Sequence, residues 1–522
     1  MESTSFSMKQ SGLLITIFMI LVLADARRLD VDTAPGEAQK HPRDLDQYRE
    51  KEDDGRGLPK LSRHEQQILH ALFGGIGPVI LPDDSQPSNL ADDKTSSLPD
   101  RVVRRQAPDQ SPPIPEQIHI AYGDMPSEMV IVWSTPSPGS SEVLYGMAPN
   151  NFSLKASGDY EELVDWEGPF EGVKFIHRVK LEGLSPGASY SYKVQTNDEQ
   201  SQTYTFTAMQ DGTDWSPTLL VYGDMGLKGG APSLRLLGKA AKENLADAII
   251  HVGDFAYDLH DEEGKVGDDF MNRIQDVAAV LPYMTCPGNH EIAHDFVHYR
   301  YRFSMPGSPW PMEDEMWYSF DMGKAHFVSY STEIYFTGYS DYLQRRQIEW
   351  LRDDLGRANK ERAIRPWIIA FGHRPMYCSN ADRDDCTKEE SRVRTGLEDL
   401  FYDFGTDLII EAHEHSYERF WPMYRGEVTA KHYKNPVAPV HVISGAAGCN
   451  EFDGVCVNPI LGPRGEWSAY RSWIPGLYGF AHLHIANDTH LHWQQRLAVS
   501  DQVQDEFWIE QNRHGYFPPS TR

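Results

Sequence analysis

Five short segments of this chain carry side chains able to hold a metal ion, and each ends an apolar run. TLLVY leads into Gly223-Asp224-Met225-Gly226, and DAIIHV into Gly253-Asp254-Phe255-Ala256-Tyr257. PYMTC leads into Pro287-Gly288-Asn289-His290-Glu291, WIIAF into Gly372-His373-Arg374, and LIIE into Ala412-His413-Glu414-His415. Asp224, Asp254 and Tyr257 offer hard oxygens, Asn289 a neutral carbonyl oxygen, and His373, His413 and His415 imidazole nitrogens. In an extended segment, residues i and i+2 point to the same side, so His413 and His415 can face one site. The set exceeds what one ion needs. Two ions a few ångströms apart, sharing a bridging carboxylate, use it fully. A phenolate at neutral pH needs a strong cation, because free tyrosine ionises at about pH 10. The oxygen-rich half therefore favours Fe(III), and the nitrogen-richer half suits Zn(II), Fe(II) or Mn(II). Taken singly, a Gly-Asp is a turn, a GNH a loop and an HxH a surface feature. Five such segments together, all at strand ends, argue for one site.

The elements that would position them read as layered α/β. From residue 216 onward the strand candidates TLLVY, DAIIHV, PYMTC, HFVSYS, WIIAF and TDLIIE alternate with helical patterns. Those helices include PSLRLLGKAAKEN, DFMNRIQDVAAV, YLQRRQIEWLRDDLGRAN and SRVRTGLEDLFYDF. Ligands of open α/β sheets gather at the carboxyl ends of the strands, so the five loops are expected to converge. Ahead of this, residues 112–208 show short alternating runs separated by PSPGS and LSPGAS. They predict an all-β sandwich of the fibronectin or immunoglobulin sort. The expected organisation is thus a sandwich at 112–208, a catalytic domain at 215–500 and a C-terminal tail at 501–522.

The N-terminal part reads differently. Lys9, the apolar run at 12–23 and Ala24-Asp25-Ala26 fit a secretory signal peptide over 1–26, the run being too short to span a bilayer. Residues 27–108 are charged and proline-containing, which predicts a mostly disordered prosegment or linker. Within it, Ser62 and Glu65 can cap a short helix, and Arg101-Val-Val-Arg104-Arg105 reads equally as a processing site or an exposed linker. Five cysteines agree with export: Cys378 and Cys386, and Cys449 and Cys456, bracket short polar loops suited to disulfides. Cys286 is left over, as a small buried residue. Asn151 and Asn487 head glycosylation sequons. A net charge of −28 excludes a general nucleic-acid or anionic-membrane binder, and no membrane anchor is expected. Any anionic substrate must find local cations.

The series GDMG, GDFAY, GNHE, GHRP and AHEHSYER resembles the metallophosphoesterase motifs, and the tyrosine of GDFAY resembles the purple acid phosphatases, most of all their animal type 7 group. The resemblance runs from about 112 to 500 and includes WYSFDMGKAHFVSYSTE at 317–333. Large members of that family carry a fibronectin-like domain ahead of a metallophosphoesterase domain. The resemblance implies a ferric site of Asp224, Asp254, Tyr257 and His415, and a divalent site of Asp254, Asn289, His373 and His413, with Asp254 bridging. It implies that Asn289 and His290 bind substrate phosphate and that His290 protonates the leaving group. It further implies a secreted or lysosomal acid phosphatase that hydrolyses small phosphate monoesters by attack of a metal-bound hydroxide. The same site acting on diesters, pyrophosphates or nucleotides is the alternative, and a non-catalytic glycosylated binding protein the second. Two departures stand out. Ala412 occupies a position where many members have glycine, and the loop RPMYCSNADRDDC lacks the histidine pair of plant members. His294 and His298, four apart on a possible helix, are candidate substitutes for that pair, or else outlying residues. The oligomeric state stays open.

Overall fold

The structure is a computed structural model that describes residues 111–164, 173–338, 341–380, 383–449, 464–472 and 477–519. The expected signal peptide, the prosegment with its short helix, the basic processing site and Cys456 lie outside the described residues.

The N-terminal sandwich is built from eight strands among the described residues. Its two halves share the long strand Leu154–Leu163. Residues 154–158 pair with Ser141–Met147, and residues 159–163 pair with Lys174–Leu181. Met129–Thr135 is buried along its whole length. Alternation explains this: Met129, Ile131 and Trp133 face the sandwich interior, while Val130 and Val132 pack with Val297, Tyr301 and Trp310 of the catalytic domain.

Two mixed sheets make the catalytic domain. The first runs in the order Tyr283–Cys286, Ala248–Val252, Thr218–Tyr222, Gly479–Ile485, His490–Leu497, Val503–Glu510. The second runs in the order Tyr318–Met322, Ala325–Ser329, Trp367–Phe371, Leu408–Glu411, Val440–Ser444, Tyr417–Phe420, Ser468–Arg471. Strands buried on both faces read as continuous apolar runs, and WIIAF is one. Trp367, Ile369 and Phe371 join the core between the sheets, whereas Ile368 and Ala370 pack with Leu351, Leu355, Val393 and Leu397 of the helices Asp341–Lys360 and Arg392–Asp403. The helices Ala231–Lys242 and Lys265–Ala278 add Leu237, Phe270 and Ile274 to the core of the first sheet. The layers are helix, sheet, sheet, helix. Residues beyond 500, expected as a tail, are part of this architecture: Val503–Glu510 is an edge strand pairing with His490–Leu497.

A polar triad braces the second sheet. His326 lies between Asp321 and Asp354, with Nδ1 and Nε2 each 2.8 Å from a carboxylate oxygen. Burial opposes its charge, but the two hydrogen-bonded carboxylates outweigh that and push its pKa up to about 9. The folded state therefore holds this proton more tightly than the unfolded chain, whose histidine titrates near pH 6.5. The stabilisation is complete below that pH and is lost as pH rises through about 9, by up to about 3 kcal/mol. Denaturant unfolding across this window is expected to show the decline, and His326→Gln is expected to abolish it while lowering stability at pH 6.

Candidate metal centre

The five loops do converge, and the backbone explains how. Thr218–Tyr222, Ala248–Val252 and Tyr283–Cys286 end side by side in the first sheet, and Trp367–Phe371 and Leu408–Glu411 in the second. Leaving its strand, the chain turns into the left-handed region at Asp224 (φ 57°), Asp254 (φ 53°), Tyr257 (φ 53°) and His413 (φ 67°). Such conformations cost roughly 1–3 kcal/mol each for non-glycine residues and persist where the surroundings enforce them. Here they swing the side chains across the strand ends. The loops also bind one another: the N–H groups of Asp224, Met225 and Gly226 donate to the carbonyls of Gly253, Asp254 and Phe255 at 3.1, 3.2 and 2.8 Å. Buried Glu291 accepts from the N–H groups of Asp254, Phe255 and Gly288 at 2.9, 3.0 and 2.8 Å, clamping the GDFAY loop to the GNHE loop. Glycines allow the close approach. A methyl on Gly253 would lie 2.5 Å from His373 Nδ1, and one on Gly288 would collide with Asp254 Oδ1. The Ala412 methyl is accommodated because Gly223 opposite it has none; a Cβ there would meet it at 2.5 Å.

Two groups of ligand atoms result, and they share one residue. Asp254, His373 and His413 present ligand atoms within 4.8 Å of one another, and so do Asp224, Asp254 and His415. His373 Nε2 lies 3.2 Å from Asp254 Oδ2 and 3.0 Å from Asn289 Oδ1, and His413 Nδ1 lies 3.2 Å from His373 Nε2. On the other side, the Tyr257 hydroxyl lies 3.1 Å from Asp224 Oδ1 and 2.8 Å from His415 Nε2. His373 Nδ1–H donates to the Val252 carbonyl at 2.8 Å, which turns the lone pair of Nε2 toward the cluster. Burial disfavours a charged His373, yet the carboxylates of Asp254 and Asp224 overcome it and push its pKa up to about 10. Without a metal ion, His373 thus retains a proton where a cation would balance the carboxylates. Hard oxygens, imidazoles and a shared central carboxylate fit a pair of ions. All seven residues expected as ligands meet here.

Around this cage lie His290, expected from the resemblance, and the groups Asp258, Arg374 and Asp384, which the sequence reading did not assign. The His290 ring lies tilted against the Tyr257 ring with centroids 4.4 Å apart, and its Nδ1 is 2.8 Å from Asp258 Oδ1. Its backbone N–H donates to Asp254 Oδ1 at 3.0 Å. Asp258 follows Tyr257 directly, in the same loop. Arg374 is held by Glu333, its Nε lying 3.1 Å from both carboxylate oxygens, and is stacked on Phe336. It brings a cation beside His413. Asp384, from the loop that lacks the histidine pair, accepts from His413 Nε2. His294 and His298 do not replace that pair. The helix Ala293–Arg302 exists, but its residues 294–296 are left-handed, with φ from 50° to 64°, so i and i+4 do not share a face. His298 is buried against Arg302, and His294 sits edge-to-face with His260. The expected Cys378–Cys386 disulfide is formed, Cys449 is disulfide-bonded, and Cys286 is a buried free thiol. A separate cleft of about 370 Å³, lined by Arg178, Lys180 and Trp310 among others, shares no residue with the cage.

Known proteins carry the same arrangement of domains. Profiles of the purple acid phosphatase N-terminal domain, the calcineurin-like phosphoesterases and the iron/zinc purple acid phosphatase-like C-terminal region match residues 115–208, 217–417 and 438–506. Human acid phosphatase type 7 is 46% identical over 411 residues, covering 76% of this chain and 90% of that protein. The Danio rerio protein of the same name is 45% identical over 426 residues, covering 77% and 92%. The chain belongs to the purple acid phosphatase family. The structure of a purple acid phosphatase from yellow lupin (Lupinus luteus) seeds shares the fold, with a TM-score of 0.64 and 22% identity, covering 76% of this chain and 75% of that one. Purple acid phosphatases are binuclear metallophosphoesterases, and this chain is an enzyme of that family. Because a methyl at Gly288 collides with Asp254, Gly288→Ala is expected to displace the shared carboxylate. Elemental analysis should show lost metal in a protein with unchanged circular dichroism, and activity should fall by about 100-fold or more.

Proposed function

We propose that this protein is a binuclear acid phosphatase of the secretory pathway, secreted or lysosomal, that hydrolyses small phosphate monoesters. Asp224, Asp254, Tyr257 and His415 would hold Fe(III), and Asp254, Asn289, His373 and His413 would hold a divalent ion, Zn, Fe or Mn. The sharing of Asp254 between two sets of ligand atoms carries this reading. When bound, such a pair of ions draws phosphate oxygens and makes a water acidic enough to attack phosphorus.

The chain's own groups do the rest. His290 and Arg374 supply local cations in a protein of net charge −28, and both sit beside the cage. Together with Asn289 they orient the phosphoryl group and stabilise the charge that builds on it during transfer. With Nδ1 held by Asp258, His290 has Nε2 as the nitrogen that passes a proton to the leaving alcohol. Asp258 keeps the ring aimed. The names of the animal relatives, acid phosphatase type 7, support the monoester assignment. Exposed Asn151 and Asn487, the Cys378–Cys386 disulfide and the N-terminal apolar run support the secretory route. Among the described residues no helix is long and apolar enough to cross a membrane.

Elemental analysis of the purified protein is expected to find two ions per chain, and a substrate panel to show faster cleavage of monoesters than of diesters; preference for diesters would overturn the substrate assignment. Asp254→Asn should lose both ions together and at least about 1000-fold in kcat/KM, since several kcal/mol of charge stabilisation go with them. Retention of both ions by that variant would contradict the bridging role. The protein should be violet, from tyrosinate bound to Fe(III), and Tyr257→Phe should be colourless at equal iron content.

A further inference from the structure

The loop that follows Arg374 is closed by the Cys378–Cys386 disulfide, with Cα atoms 5.5 Å apart, and it reaches back to the cage through one carboxylate. Asp384 accepts a hydrogen bond from His413 Nε2 with Oδ2, and from the Asp385 N–H with Oδ1 at 2.7 Å, where it caps the short 3₁₀ turn Asp385–Thr387. The loop is anchored on both flanks. Asp385 accepts from Ser391 Oγ at 2.6 Å and from the N–H groups of Arg392 and Val393 at 3.0 and 3.2 Å, at the start of the helix Arg392–Asp403. On the other flank the Ser379 N–H donates to Glu418 at 3.0 Å, and Asn380 Nδ2 donates to buried Glu414, the residue between the two histidines. Asp384 is therefore held in place by the loop's frame as well as by its contact with His413.

The tautomer of His413 follows from geometry. Nδ1 lies 3.2 Å from His373 Nε2 and faces the cage. A ligating nitrogen must present a lone pair, so the proton of the neutral ring sits on Nε2. Arg374 Nη1 lies 3.0 Å from that same nitrogen, but an N–H cannot accept a hydrogen bond. Arg374 pairs instead with Glu333 at 3.1 Å and with Asp384 at 3.5 Å, and Nε2–H donates to Asp384.

We propose that Asp384 is a positioning residue for the metal centre, and that the disulfide-closed loop sets how tightly the nitrogen-rich half of the cage holds its divalent ion. The carboxylate fixes the tautomer and the ring plane of His413 and raises the basicity of Nδ1. Arg374 tempers this by sharing the charge of Asp384. Carboxylates placed behind a ligating imidazole change metal affinity by about 10–100-fold. The assignment rests on the reading of His413 as a ligand.

The test titrates full-length protein with a chelator and follows bound zinc or iron by elemental analysis. Asp384→Ala is expected to release the divalent ion at about 10–100-fold lower chelator concentration, while keeping the ferric ion and its visible absorption. Its kcat should fall with the ion lost and return on adding Zn(II), with KM for a monoester unchanged. Asp384→Asn, whose amide oxygen still accepts a hydrogen bond, should lie between Asp384→Ala and wild type, and serves if Asp384→Ala does not fold. Replacing both Cys378 and Cys386 by serine should shift chelator sensitivity in the same direction. Wild-type chelator resistance in the Asp384 variants overturns this assignment alone. A wild-type protein without two ions overturns the ligand reading on which it rests.

Discussion

Everything in the catalytic domain is arranged around an electrostatic problem: two carboxylates, Asp224 and Asp254, both buried, sit at the meeting point of two sheets. Charge in such a place is costly unless compensated, because water is excluded and the local dielectric is low. Backbone N–H groups compensate part of it, from His413 to Asp224 at 3.0 Å and from His290 to Asp254 at 3.0 Å. Burial alone would raise the pKa of Asp254, yet the neighbouring imidazoles of His373, His290 and His413 reverse that and hold it well below the carboxylate range. The cluster is electrically incomplete without cations. Metal affinity and catalytic power draw on the same uncompensated charge.

Holding such charges together demands a backbone that would not fold this way by itself. Left-handed Asp224, Asp254, Tyr257 and His413 are each unfavourable, and the strain persists because the loops are bound to one another and to Glu291. Burial and the adjacent charge of Asp254 push the pKa of Glu291 up to about 8, against the pull of its N–H donors. The clamp and the shared carboxylate are therefore coupled: what anchors the loop also feels the charge it presents.

Much of this was legible in the sequence because motif and strand end coincide. A continuous apolar run that stops at a small residue and a ligand carries its own geometry, and the seven expected ligands meet at the ends of those runs. The fold layers were legible for the same reason. What escaped lacked such a signal. The strand Leu154–Leu163 is largely exposed, so its sequence LKASGDYEEL has no apolar alternation to read. The edge strand Val503–Glu510 does alternate, with Phe507 and Ile509 inward, but its polar first half masked the pattern. Asp384 sits in a run of acidic residues indistinguishable from a solvated surface. Its meaning depends on a disulfide, a helix start and His413 meeting in space, which no local spacing encodes. Asp258 and Glu291 lay beside recognised motif residues and act through the backbone and the second nitrogen of His290, contacts invisible to a motif.

A cage split between two sheets is only as well formed as the alignment of those sheets, since ligand positions must hold to about half an ångström. Several contacts fix that alignment independently. The Gly223 N–H donates to the Ser444 carbonyl at 2.8 Å, joining the first strand end to the second sheet, and Trp367 Nε1 donates to the Asn487 carbonyl at 2.8 Å at the far end. The sandwich adds a third brace. Buried Arg302 bonds Gln117 at 2.8 Å and Asp268 at 2.9 Å, while its own carbonyl lies 2.7 Å from His119 Nε2. Arg302 ends the helix that follows the GNHE loop, so the sandwich grips the element leading out of Asn289 and His290. The sandwich thereby holds the wall of the cage that carries Asn289 and His290, which gives a physical reason for the two domains to be built as one unit.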